Sequence, residues 1–279
     1  MPTEPLEQPR ENEPHRHRQM AESFGTDAER YDRVRPRYPA ELIGRIVATA
    51  PGPAVLDVGC GTGIAARQLQ AAGAEVLGVE PDARMAGLAR RLGVEADVAT
   101  FEDWDPAGRE FDAVVAGQSW HWIDPAAGAA KAARVLRPGG LLAAFWNAQQ
   151  LPSEIAEALA AVCRRVIPDS PIDFGAFTRS AADLYAPGLD KAADGMRRTG
   201  AFGEPERWRF GWEQPCARDE WLDQLPTFGA FTRLPPESLA EVRDGVAPAI
   251  DRLGGGFTLA YTTLAITAVR QGPAGRPER

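Results

Sequence analysis

Cysteine is scarce in this chain. The 279 residues hold three, Cys60, Cys163 and Cys216, scattered along the sequence. An odd, dispersed set makes neither a disulfide framework nor the paired spacing of a zinc site. Histidine is as rare: His15 and His17 sit in a polar, proline-bearing N-terminal stretch, and only His121 lies elsewhere. No Asp/Glu/His cluster has the spacing of metal ligands, so no metal is expected. No apolar run approaches membrane-spanning length, and no secretory leader is visible. An excess of positive charge is absent too: 31 Lys and Arg stand against 39 Asp and Glu, a net charge of −8. Nucleic-acid binding rests on neutralising phosphates, so this balance speaks against a nucleic-acid partner. What remains is ordinary globular composition, 44% hydrophobic and 25% charged, in a chain long enough to bury a large core. The expected location is cytoplasmic, and the expected state a monomer or homodimer.

One stretch organises the rest: Val55–Gly63, reading VLDVGCGTG. Its apolar start reads as a buried strand, and the residues after Gly63 as a helix. Glycine at 59, 61 and 63 lets a ligand approach backbone N–H groups at the helix start, where a side chain would block it. Cys60 reads as a small filler within this loop. A second strand, Val76–Val79, leads into Glu80, 17 residues past Gly63. That is about the spacing at which a carboxylate meets ribose hydroxyls in nucleotide-binding α/β folds. A carboxylate suits a diol because it accepts two hydrogen bonds at once. Taken alone, Glu80 has a commoner reading, a solvated acid at a strand end.

The order DVGCGTG, GVEPD, FDAVVAGQSWHW and RVLRPGG resembles the class I S-adenosylmethionine-dependent methyltransferases over residues from about 24 to 150. The phrases QSWHW and RYDRVRPRYP are similar to the trans-aconitate methyltransferase-like subgroup. The resemblance implies a Rossmann-like α/β fold: a seven-stranded, mostly parallel sheet, helices on both faces, an antiparallel last strand and a helical cap insertion. It also implies S-adenosyl-L-methionine as cofactor and a small-molecule methyl acceptor. The implied cofactor contacts are Asp57, Gly59, Cys60, Gly61 and Gly63 in the glycine loop, Glu80 and Pro81 after the second strand, and Phe101 and Glu102. Gly117 and Gln118 follow the fourth strand, and Tyr31 and Arg35 come from an N-terminal segment lying over the cofactor. Thr100 stands where the family usually carries an acid, which leaves the Phe101 backbone to contact the adenine.

Along the chain, residues 1–20 are expected to be a disordered tail, because they lack core-forming residues. Residues 21–270 read as a single methyltransferase domain, and 271–279 as a loose tail. Helices are expected over 21–31, 40–50, 65–72, 83–92, 126–136 and 153–166. Strands three to five are expected near 94–99, 111–116 and 141–146, with Arg137–Gly140 as the turn before the fifth and Asn147 as its end. Residues from about 151 to 200 read as the cap. Arg207–Trp212 alternates in the period of a strand. A helix over 238–253 is expected to be interrupted near Pro248, and 257–269 forms the last strand.

Methyl transfer from a sulfonium is an in-line displacement, so alignment and exclusion of water are the protein's main tasks. A carboxylate acceptor is ionised near neutral pH and needs no base; a phenol or carbon acid gains from one. His121 is the candidate base, and its bland alternative is a loop residue held between two tryptophans. Trp120, His121 and Trp122 form the expected substrate pocket. One tryptophan should line it while the other packs as core. The competing readings are a carbon or nitrogen methyltransferase of secondary metabolism, a nicotinamide oxidoreductase, and a ligand-binding module without catalysis. The GxGxG spacing argues against the oxidoreductase; the intact Asp57, glycines and Glu80 argue against the non-catalytic module.

Overall fold

The computed structural model describes residues 22–168, 170 and 173–272. The expected tail over 1–20 lies outside the described residues, with residues 273–279 of the expected C-terminal tail. Seven strands form one sheet: β1 (Ala54–Val58), β2 (Glu75–Glu80), β3 (Glu95–Val98), β4 (Phe111–Gly117), β5 (Leu136–Gln150), β6 (Glu206–Ala217) and β7 (Gly256–Val269). They lie in the order β3-β2-β1-β4-β5-β7-β6. β1 to β5 pair in parallel, and β7 pairs antiparallel with both β5 and β6.

Central strands are buried on both faces, as a parallel sheet requires. Along β4 and β5, Ala113, Val115, Leu141, Ala143 and Phe145 enter one core, while Val114, Ala116, Leu142, Ala144 and Trp146 enter the other. After α1 (Ala28–Val34) at the start of the described chain, α2 (Ala40–Thr49), α3 (Ile64–Ala71) and α4 (Ala83–Arg91) close the first core through Leu42, Ile46, Leu69 and Ala86. The second is closed by α5 (Pro125–Val135) and, later in the chain, by a helix carrying Leu189, Ala192 and Met196. Caps fix where these helices begin. The Asp82 side chain accepts from the Arg84 N–H at the start of α4, and Asp124 accepts from Ala126 and Ala127 at the start of α5.

Three expectations change. β5 is much longer than 141–146. Its register against β4 slips between Phe111 and Ala113, so that residues 137–140 bulge within the strand. Its far end runs on past Asn147 because β7 supplies partners as far as Gln150↔Ala260. The helix over Pro236–Arg252 passes through Pro248 unbroken. An interior proline costs about 3 kcal/mol, and burial of Val242, Val246 and Ile250, at roughly 1.5–3 kcal/mol each, outweighs it.

The stretch 151–200 divides rather than forming one insertion. α6 (Ser153–Val166) packs in a third core, with α8 (Arg218–Gln224) and α9 (Pro236–Arg252), around Leu159, Trp221, Phe231 and Ile250. Between them in sequence, α7 (Ala181–Thr199) packs on the sheet beside α5. The tight fit shows at Gly195, where a Cβ would lie 2.3 Å from the Pro125 carbonyl oxygen. No helix among the described residues is long and apolar enough to cross a membrane.

Candidate functional site

β1 delivers Asp57 and Val58 into the glycine loop. Gly59, Gly61 and Gly63 take φ of +66°, +57° and +84°, a region that side chains disfavour. A Cβ on Gly59 would also lie 2.5 Å from Cβ of Ser119, and one on Gly63 2.8 Å from Cγ2 of Val94. Glycine is therefore required twice over at both ends of the loop. Cys60 packs against Gly78, where an added Cβ would come within 2.5 Å of Sγ. Burial holds its thiol well above the usual range, which suits a filler and not a nucleophile.

Glu80 is buried and committed to the backbone. One carboxylate oxygen accepts from Gly61 N–H at 2.9 Å and the other from Asp82 N–H at 3.0 Å. It ties the glycine loop to the start of α4, so the reading as a solvated strand-end acid does not hold. Burial lifts its pKa to about 7, against the opposing pull of those two N–H groups. Each oxygen keeps a free lone pair, and the side chain borders a cleft.

That cleft is walled by Val79, Pro81, Met85, Phe101 and Trp122, and roofed by Phe24. Glu102 and Thr100 border it as well, although the Thr100 hydroxyl donates within its own turn, to Asp103. Phe24 meets Trp122 and Tyr31 edge-on, with ring centroids 6.4 and 5.9 Å apart. Trp120 packs as core and Trp122 lines the cleft.

A second hollow continues past Gly59 and holds Asp57, Tyr31, Tyr38, Cys60, Thr62 and Gly117. Asp57 is 1% exposed, and neither carboxylate oxygen has a hydrogen-bond partner. Burial foremost, then the neighbouring Glu80 charge, raises its pKa to about 7; the Ala66 N–H favours the charged form but forms no bond of good geometry. The segment above is pinned from the outside. Thr62 donates to Asp32 at 2.7 Å, and the Arg67 guanidinium pairs with the same carboxylate. Asp32, Thr62, Ser119 and Met85 carry no motif of their own; for Asp32, a carboxylate one residue after Tyr31 is the available clue.

Arg35 and Gln118 stand apart from both hollows. They line a third cavity with Asn147, Tyr185, Gln224 and Tyr261. Gln118 takes φ of +58°, and its Nε2 donates to the Asn147 carbonyl at 3.2 Å. His121 lies elsewhere again. It lines a fourth cavity with Trp146 and α7, and its Nδ1 accepts from the Trp146 indole at 3.1 Å. Its side chain is half-buried by accessible surface yet closely surrounded, and burial lowers its pKa to about 4. Among the described residues no cluster of acids, histidines and cysteines could hold a metal ion.

Residues 56–144 match the model of the methyltransferase domain family. An uncharacterised methyltransferase of Mycobacterium bovis is 39% identical over 132 residues, 47% of this chain and 54% of the relative. A ubiquinone biosynthesis O-methyltransferase of Hahella chejuensis is 38% identical over 100 residues, 33% of this chain and 42% of the relative. The chain thus spans about half the length of the curated relatives it matches. A solved structure from Anaeromyxobacter dehalogenans, assigned to the type II methyltransferases, covers 86% of this chain and 99% of its own at a TM-score of 0.61 and 24% identity. Residues 56–144 are thus similar to a methyltransferase domain, and the seven-stranded sheet has the fold of that solved methyltransferase.

Proposed function

We propose that the protein methylates a small molecule, at a carboxylate or hydroxyl oxygen, with S-adenosylmethionine as donor. The observation that carries the reading is the buried, unpartnered carboxylate of Asp57 beside the glycine loop. A buried anion without a partner is costly, and the ammonium of the donor's amino-acid portion is a group that would relieve it. The neighbouring cleft offers matching chemistry: a lone pair on each Glu80 oxygen for the ribose diol, and the apolar walls Val79, Met85 and Phe101 for the adenine. When bound, S-adenosylmethionine supplies a methyl group already activated by its sulfonium.

The chain's own part is to align and enclose. Phe24, Tyr31 and Trp122 exclude water over the cleft. An acceptor carboxylate needs no proton removed, and this agrees with His121 keeping its Nδ1 lone pair for Trp146. The name of the ubiquinone biosynthesis relatives supports an oxygen acceptor. The acceptor itself is a matter of the third core and the N-terminal segment, which the family match over 56–144 does not reach.

Calorimetry with S-adenosylhomocysteine and with NAD tests the reading. Binding of S-adenosylhomocysteine that is lost in Asp57→Ala is the expected result; binding of NAD alone overturns it.

A further inference from the structure

We propose that the outer edge of β6 binds the β6 of a second copy of this chain, antiparallel and about a two-fold axis at Phe210, so that two sheets run on as one. The inference stands on the edge itself and does not depend on the reaction.

β6 is the last strand of the sheet, and among the described residues no strand pairs with its outer side. Its ladder with β7 is regular from Glu206↔Thr267 to Ala217↔Gly256. In such a ladder alternate residues turn both N–H and C=O toward the same neighbour. Just past the strand, the Arg218 N–H donates to the Gly255 carbonyl at 3.0 Å, so the even-numbered residues face β7. The backbone groups of Arg207, Arg209, Gly211 and Glu213 therefore point outward. Pro215 falls in the same set and has no N–H to give, which ends the full exchange of bonds at Glu213.

An open strand edge is a template for another strand, and charged side chains ordinarily keep it from pairing. On β6 the charges are selective. Arg207, Arg209, Gly211 and Glu213 are exposed on one face of the strand. With the axis at Phe210, Arg207 lies opposite Glu213 of the second copy, and Glu213 opposite its Arg207. Arg209 lies opposite Gly211, where an added Cβ would meet nothing within 4 Å, so the long side chain has room. Every outward residue meets an outward residue. Moving the axis to Gly211 or beyond brings Pro215 into the ladder. Moving it to Arg209 or beyond sets arginine against arginine, which destabilises a cross-strand pair. One register thus suits both backbone and charge.

The side chains have the matching needs. The ion pairs along β6 are Arg207 with Asp190 and Glu206 with Arg45; among the described residues Glu213 has none. On the other face, Trp208 lies under the Arg45 guanidinium at 4.0 Å, and Trp212 stacks on Tyr261 at 4.2 Å. Phe210 stands between them, half-buried. The axis brings the two Phe210 rings together in the closely spaced, non-hydrogen-bonded kind of pair, where aromatic side chains stabilise a ladder.

Sedimentation equilibrium of the full chain at micromolar concentration tests the proposal, on the wild type, Arg207→Glu, Glu213→Arg and an equal mixture of the two variants. The wild type is expected to be a dimer. Each variant sets like charges opposite each other at both ends of the paired segment and should weaken association by roughly tenfold or more. The mixture restores opposite charges at both ends, so a heterodimer should form from two chains that do not pair with themselves. Both side chains are exposed, and melting curves recorded alongside should show folded variants. A monomeric wild type, association unaltered in either variant, or a mixture that stays monomeric would each overturn the proposal.

Discussion

The indole N–H of Trp146 donates to Nδ1 of His121 across 3.1 Å. An indole nitrogen can only donate, so Nδ1 is the acceptor and the imidazole proton sits on Nε2. His121 therefore offers its cavity an N–H and not a lone pair. To take a proton from an acceptor it would first have to release Trp146. Burial, which holds its pKa near 4, works in the same direction. The pH–rate profile is accordingly expected to lack a limb near 6.5, and a limb there that disappears in His121→Gln would restore the base.

The same histidine has a stability signature. Its folded pKa of about 4 lies below the ordinary value of 6.5, so the unfolded chain binds the proton first as pH falls. The contribution of neutral His121 is present above about pH 6.5 and is lost progressively down to about 4. Melting curves across that window should fall more steeply for the wild type than for His121→Gln; parallel curves would show that the imidazole titrates freely.

Asp57 works with the opposite sign. Its folded pKa of about 7 lies above the ordinary 3.8, so its stabilisation is complete below about pH 4 and is lost as pH rises through 7. Without ligand, Asp57→Asn should gain on the wild type in melting temperature between pH 4 and 8. An ammonium brought to Asp57 favours the carboxylate, so S-adenosylhomocysteine binding near pH 6.5 should release a proton. Calorimetry in two buffers of different ionisation enthalpy reads that proton; equal heats in both would contradict the pairing.

Glu80 holds two backbone N–H groups as well as bordering the cleft. Glu80→Ala leaves both unpaired, at about 1–3 kcal/mol for each buried group. The variant is expected to melt several degrees lower and to bind S-adenosylhomocysteine more weakly. Glu80→Gln keeps one acceptor and should fall between. A variant with unchanged melting and lowered affinity would make Glu80 a ligand contact only.

Gly59→Ala meets two obstacles, a φ of +66° and the Ser119 Cβ at 2.5 Å. Ser119 cannot yield easily, because its hydroxyl donates to the Val58 carbonyl at 2.5 Å. Left-handed backbone alone costs an alanine about 1–2 kcal/mol. Loss of S-adenosylhomocysteine binding with a folded circular-dichroism spectrum is the expected outcome, and full affinity would show that the loop has room to spare.

The sheet was readable in the sequence where local chemistry decides it. Apolar runs such as FDAVVA and the glycines at 59, 61 and 63 state a strand and a turn without outside help. The ends of β5 were not readable, because they depend on register against a β7 that lies more than a hundred residues later. The third core escaped for the same reason: the buried face of Ser153–Val166 finds its partner in Pro236–Arg252. Asp57 and the glycine loop were visible as a motif, whereas the cavity around Arg35 draws Tyr185, Gln224 and Tyr261 from three distant elements. Gln118 was assigned beside Gly117, yet its positive φ turns it toward Asn147, and nothing in the residue type announces that.

Three strands run without a break from the sheet into the third core: β5 as far as Gln150, β6 as far as Ala217 and β7 from Gly256. A module joined by continuous ladders cannot swing like a door on a loop. Residues 22–37, by contrast, are fastened by side chains, among them Arg33 to Asp223 at 2.7 Å and Thr62 to Asp32. Side-chain contacts of this kind can break one at a time, whereas the ladders of the last strands break only together.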